Sequence, residues 1–127
     1  MILQKDIDSY PTPLTRDTII ANTDDEAYAI AEKHLLLSYR DEYGGGKWKH
    51  PLIGNQDKTP TNDLDAISKD RFLIGCPAKV VESITKYIDI FKVDHLIFRL
   101  YFPGISHNFI LKELKLISQE VIPAIIR

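Results

Sequence analysis

The stretch 71-RFLIGCPAKVVESITKYIDIFKVDHLIFRLY-101 decides how this chain is read. Its opening places Phe72, Leu73 and Ile74 next to one another instead of alternating with polar residues, the pattern of a short strand buried on both faces. Pro77 stands where a helix tolerates proline best, at its first position, and this makes Cys76 the N-cap. From there Val80, Val81, Ile84, Tyr87, Ile88 and Phe91 recur at helical spacing over 77–91. Val93 to Tyr101 then returns to an extended hydrophobic run. A strand, a helix of this length and a second strand make a right-handed crossover between parallel strands.

The same order continues outward in both directions. Upstream, 16-RDTIIANT-23 has a β-branched centre and reads as a buried strand. Thr23 and Glu26 have the spacing of a capping box, so a helix begins after Thr23 and runs over 24–43, with acidic residues in the first turn and Ala27, Ile30, Ala31, Leu35 and Tyr39 on its apolar face. Gly44, Gly45 and Gly46 stop it; the triplet follows a helix and lacks a Gly-Lys-Ser/Thr ending, which separates it from a phosphate loop. Residues 1–15, with Pro11 and Pro13, read as an irregular lead-in. Residues 44–62 read as a long loop in which Trp48 is expected to pack against something, followed by a helical turn at 63–68. Downstream, Pro103-Gly104 ends the third strand, and Ser106 caps a last helix expected to bury Phe109, Ile110, Leu114, Ile117, Val121 and Ile122 and to fray at Pro123. The reading is one α/β domain over 1–127, made of three β-α units with parallel strands.

Composition narrows the function classes. With 127 residues, 44% hydrophobic and 27% charged, the chain has the makeup of one soluble domain whose core needs no staple. A formal charge of -2 argues against a non-specific grip on nucleic-acid phosphates. The single Cys76 excludes an internal disulfide, Lys5, Asp6 and Asp8 interrupt any apolar leader, and no run approaches the roughly 20 apolar residues of a membrane span, so a cytoplasmic location without membrane contact is expected. His34, His50, His95 and His107 have no Cys or carboxylate at ligand spacing, and no metal is expected.

In parallel sheets, ligands gather beyond the carboxyl ends of the strands. The residues delivered to that edge are Gly75 and Cys76 from the second strand, Arg99 and Tyr101 from the third, and Ser106 and His107 beyond the Pro-Gly stop. Arg99 suits an anion there, or a local salt bridge. His107 suits acid–base work, or a bond to the preceding turn. Cys76 sits at a helix N-terminus, where thiols can be activated, but no partner for it is visible, and a small packing residue is the competing reading. His95, inside the strand, is expected to be packed and satisfied. Three strands are few for a parallel sheet, and the edges at 16–23 and 93–101 are expected to need a cover, either a second copy or another part of a larger sheet.

The ordered motifs from Phe72 to Arg127 resemble the C-terminal end of the luciferase-like flavin-dependent monooxygenases, the bacterial luciferase superfamily. They are a strand ending in Gly75, Cys76 and Pro77, where that family has Gly-Thr-Pro or Gly-Ser-Pro, and a helix with Val80 and Val81. A Val93-Asp94-His95-Leu96 strand follows, then a Pro103-Gly-x-x-His107 element, and a helix ending in Glu120, Val121 and Pro123. The earlier 13-PLTRDTIIANTDDEAYAIA-31 is similar to the family's Arg-led strand and Ala-rich helix. This resemblance implies a partial TIM barrel, the last three or so units of an eight-unit barrel that takes about 250 residues when complete. It also implies FMN or a deazaflavin as cofactor, with Gly75, Cys76, Arg99, Tyr101, Ser106 and His107 facing cofactor or substrate. Catalysis would then require a chain supplying the N-terminal barrel strands. The alternative is a non-enzymatic, self-associating homo-oligomer with a structural or accessory role.

Overall fold

The computed structural model describes residues 10–39 and 64–126. The lead-in up to residue 9, the glycine triplet and the loop carrying Trp48 and His50 lie outside them. Strand β1 spans Pro13–Ile20, β2 Phe72–Gly75 and β3 His95–Arg99. Helix α1 runs through Asp24–Ile30, a π-helical Ala31–Leu35 and Leu36–Tyr39. Helix α2 is Leu64–Ser68 and α3 is Pro77–Phe91, while α4 joins His107–Leu116, a π-helical Ile117–Val121 and Ile122–Ile125. The alternation of strand and helix, the N-caps at Thr23, Cys76 and Ser106, and the bounds of α3 match the sequence reading. β1 begins at Pro13 rather than residue 16, since a proline is tolerated as the first residue of a strand. Pro123 lies inside the final helical segment, near its start, and does not end it.

All strand pairs are parallel, as expected, but the order is β2-β1-β3. The expectation that 16–23 forms an edge is therefore corrected: β1 is central, and β2 and β3 are the edges. Consecutive units of a barrel would instead place the second strand between the first and third. Chirality accounts for the rest of the layout. The step from β1 to β2 and the step from β2 across to β3 run in opposite directions, and right-handed crossovers then put their helices on opposite faces. Ile19, Phe72 and Ile74 accordingly pack against α1 and α2 on one face, and Ile20 and Leu73 pack against α3 and α4 on the other. Helices thus cover both faces at β1 and β2, whereas a barrel wall carries them on its outside alone.

The two neighbours of β1 are offset along it. β2 pairs with Asp17 to Ile20, and β3 pairs with Pro13 to Asp17. Only Asp17 has a strand partner on both sides. Ala21 donates its N–H to the Gly75 carbonyl at 3.3 Å, so the N–H of Ile20, one residue earlier, points to the β3 side, beyond the paired end of that strand. It donates instead to Oε2 of Glu113, at 2.9 Å. On the other side the chain turns away before β2, with Arg71 N–H bonding Ser68 at 3.0 Å, and the Thr15 carbonyl accepts from the Arg16 guanidinium at 2.9 Å. Each half-edge of β1 that lacks a strand is closed by an ionisable side chain.

The burial pattern of the long helices follows the same offset. In α1, Ala27, Ala31, Leu35 and Tyr39 are buried as predicted. In α4 the buried row is Glu113, Ile117 and Val121, while Leu114 and Ile122, expected inside, are 49% and 39% exposed. Both rows step by four residues. In an α-helix such a step overshoots one turn by about 40° and the row drifts, whereas a π-helical turn unwinds the backbone and brings the row back. Each of these helices contains one five-residue π segment. In α3, Val80 and Ile84 are buried, but Phe91 is 60% exposed because the helix outruns the strand beneath it.

Candidate functional site

The strand order reverses around β1, so the crevice beyond the carboxyl ends of β1 and β3 is the switch point where doubly wound sheets bind ligands. A cavity of about 240 Å³ lies there, between Ile20, Ala21 and Asn22 at the end of β1 and Phe109, Lys112 and Leu116 of α4. Glu113, on the same helix, is completely buried beside Ile20, and its Oε1 has no hydrogen-bond partner. Burial pushes its carboxyl from 4.5 up to about 8, and the Ile20 N–H offsets only part of that rise. At neutral pH the group is a neutral acid that accepts from Ile20 at Oε2, leaving the proton on Oε1.

The six residues read from the sequence occupy the carboxyl edge without converging into one cavity. Gly75 has φ +151°, and a Cβ there would lie 2.8 Å from Oδ1 of Asp24 and from the Lys79 side chain, so only glycine lets β2 reach the start of α1. Asp24 Oδ1 accepts the Cys76 N–H at 2.8 Å. Hydrogen bonds from the Cys76 backbone and side chain, with the Lys79 charge nearby, hold the Asp24 carboxyl below its usual value. The amide of the N-cap residue is thereby engaged within the chain, and Cys76 makes no side-chain cap. Arg99 takes the local salt-bridge reading: it lies 3.7 Å from Asp17 and its guanidinium stacks 5.2 Å from the Phe102 ring. Ser106 caps α4 through Phe109 N–H at 3.1 Å, His107 is exposed at the first helical position, and Tyr101 is 63% exposed. His95, expected to be packed, is exposed, because among the described residues no helix packs on the face of β3 that carries His95, Ile97 and Arg99.

Sequence reasoning missed Glu113, Asp24 and His34. His34 Nδ1 lies 3.2 Å from the Pro103 carbonyl and close against Gly104, where φ is +88° and a Cβ would approach the ring to 2.9 Å, so the Pro-Gly stop is pinned to α1. For Glu113 a signal existed: it stands four residues before Ile117 and eight before Val121 on the buried row. Nothing in the sequence marks His34. Among the described residues no group of three or more His, Cys, Asp or Glu could hold a metal ion, and no helix is long and apolar enough to cross a membrane.

Comparison with known proteins shows the fold. The chain resembles a type II Baeyer-Villiger monooxygenase, the oxygenating constituent of 3,6-diketocamphane monooxygenase from the CAM plasmid of Pseudomonas putida, solved in complex with FMN. The TM-score is 0.58 at 22% identity, over 90% of this chain and 33% of that one. It resembles apo-MsnO8 to the same TM-score of 0.58, at 18% identity, over 91% of this chain and 36% of that one. The chain thus spans about a third of the length of the solved chains it matches. No protein-family model and no curated protein sequence matches it. These likenesses show the fold alone, and FMN belongs to the first of those structures.

The residues present do not by themselves fit a flavin. A flavin mononucleotide needs cations or free amides for its phosphate and a slot for its ring system. Arg99, the Cys76 amide and the Ser106 hydroxyl each have a partner within the chain, neither described cavity is lined by any of the six candidate residues, and the cavity at the switch point, though lined by Lys112 and Lys115, holds only about 240 Å³.

Proposed function

We propose that this chain is one part of a luciferase-like flavin-dependent oxidoreductase, corresponding to the C-terminal units of its barrel and inactive until a chain carrying the N-terminal strands joins it. One observation carries the reading: 90% of the chain superposes on a third of a monooxygenase chain that was solved with FMN. The ordered motifs from Phe72 to Arg127 support the same assignment. In the joined protein Gly75, Cys76, Arg99, Tyr101, Ser106 and His107 line the mouth that holds the flavin or the substrate, and the Arg99–Asp17 pair opens to present a cation. Flavin chemistry, whether with FMN or a deazaflavin, is supplied by the cofactor. This chain contributes surface and orientation. It acts in the cytoplasm, with no nucleic-acid or membrane partner.

The test is a flavin titration of the purified chain, alone and with a candidate N-terminal partner, read by visible absorbance and by turnover of reduced flavin. The expected result is no binding alone, and binding with turnover in the mixture. Absence of both in the mixture overturns the reading. A second reading is a non-enzymatic homo-oligomer, favoured by the face of β3 that no described helix covers, where Ile97 is 42% exposed. Under it, a stable oligomer that buries Ile97 forms with no flavin-binding partner at all.

A further inference from the structure

The lower half-edge of β1 opens into a second cavity, of about 460 Å³, at the end of the sheet away from the candidate mouth. Its origin is a length mismatch. Helix α3 has 15 residues and so spans about 22 Å, while the four residues of β2 beneath it cover about 13 Å. The last turns of α3 overhang the start of β2 with no strand under them, which leaves Ile90 and Phe91 68% and 60% exposed, in contrast to the buried Val80 and Ile84 nearer its start. Arg16 reaches into this space from β1. Its guanidinium donates one N–H to the Thr15 carbonyl and lies 5.0 Å from the Tyr87 ring, while its Nε is buried with no partner. Tyr87 and Phe91 stack at 6.4 Å, Phe72 closes the strand side, and Lys86 adds a second cation at the wall. Asp70 is the one carboxylate of the lining, and the carbonyl it offers there is bonded by the Tyr87 hydroxyl at 3.4 Å.

We infer that this cavity is a binding site for a small amphipathic anion, a monocarboxylate with an aromatic or short aliphatic body. An arginine has five donors in a planar fork that matches a carboxylate, and this one has most of them unspent next to an aromatic wall. Lys86 is paired with Glu82 at 3.5 Å, so the preference for an anion over a neutral or cationic guest rests on the unspent donors of Arg16. The volume falls within the range of small-molecule pockets. The exposed Ile90 and Phe91 supply the apolar surface that the ligand's body covers. This site is independent of the flavin reading.

The test uses 4-phenylbutyrate as probe and its neutral amide as control, with binding to the full chain followed by calorimetry and by amide chemical shifts. Saturable binding of the carboxylate, with shifts at Tyr87, Ile90 and Phe91, is expected, and none of the amide. Arg16→Met is expected to weaken binding at least about tenfold, which corresponds to ~1.4 kcal/mol. Ile90→Asp sits on the exposed surface and leaves the fold intact, so it serves even if Arg16→Met does not fold; its added charge is expected to abolish binding. Equal binding of acid and amide, shifts elsewhere in the protein, no saturable binding, or an unchanged affinity in Ile90→Asp would each overturn the inference. So would a dimer in solution that buries Ile90 and Phe91.

Discussion

The two half-edges of β1 that lack a strand are closed in opposite ways. At the carboxyl end the orphan is an N–H, and the fully buried Glu113 accepts from it. At the amino end the orphan is a C=O, and the part-exposed Arg16 donates to it. The carboxyl has been driven into its neutral form and fills its site, which makes that closure tight and dependent on pH. A guanidinium does not deprotonate, stays charged and keeps spare donors, so the other closure leaves a cavity and is indifferent to pH. An acid and a base doing the same backbone task thus leave a smaller cavity, about 240 Å³, beside the buried carboxyl and a larger one, about 460 Å³, beside the guanidinium.

The largest expected effect follows from titrating the tight seam. The folded-state value of Glu113 is raised to about 8 from an ordinary 4.5, so the native state binds more protons than the unfolded state between those values. Stability is full below about 4.5, falls as pH rises and levels off above about 8, by at most about 5 kcal/mol in total. Urea denaturation across this range measures it. Glu113→Gln keeps the shape and an acceptor for Ile20, and is expected to flatten the pH profile; a Gln variant with the wild-type slope would contradict the assignment. Next in size, Glu113→Ala leaves the Ile20 N–H unpaired over a void and is expected to cost about 2–4 kcal/mol at pH 6. Arg16→Met, at the open end, loses one hydrogen bond and a stacked ring, and about 1–2 kcal/mol is expected with no change in pH dependence. Cys76→Ser supplies the cap acceptor the thiol lacks, and a gain of about 0.5 kcal/mol is expected in thermal melts. Arg99→Gln removes a pair whose arginine is 46% exposed, and a change below about 0.5 kcal/mol is expected.

What the sequence made legible, and what it hid, divides along the same line. Local chemistry showed through: the proline at the start of α3, the Thr23 and Ser106 caps, the unalternating Phe72-Leu73-Ile74 run and the parallel sense of the strands all depend on neighbours in the chain. Strand order was hidden, because nothing in the sequence of β1 distinguishes an edge from a centre, and only the reversal of crossover direction places it in the middle. The candidate mouth was legible as a list of residues at one edge. Their engagement with Asp24, Asp17 and Phe109 was not, since each contact joins segments that the sequence keeps apart or uses a backbone amide. Glu113 read as solvent-facing because a charged residue in an amphipathic helix usually is; the orphan N–H that requires it exists only once β3 has stopped short.

The most direct test of this account is amide hydrogen exchange at Ile20, compared with Ile19, whose N–H lies on the paired β2 side. The account predicts that both amides are equally protected in the native chain at pH 6, and that Ile20 alone loses protection in Glu113→Ala. Rapid exchange of Ile20 in the unaltered chain, with Ile19 protected, would mean that the carboxyl does not stand in for a strand.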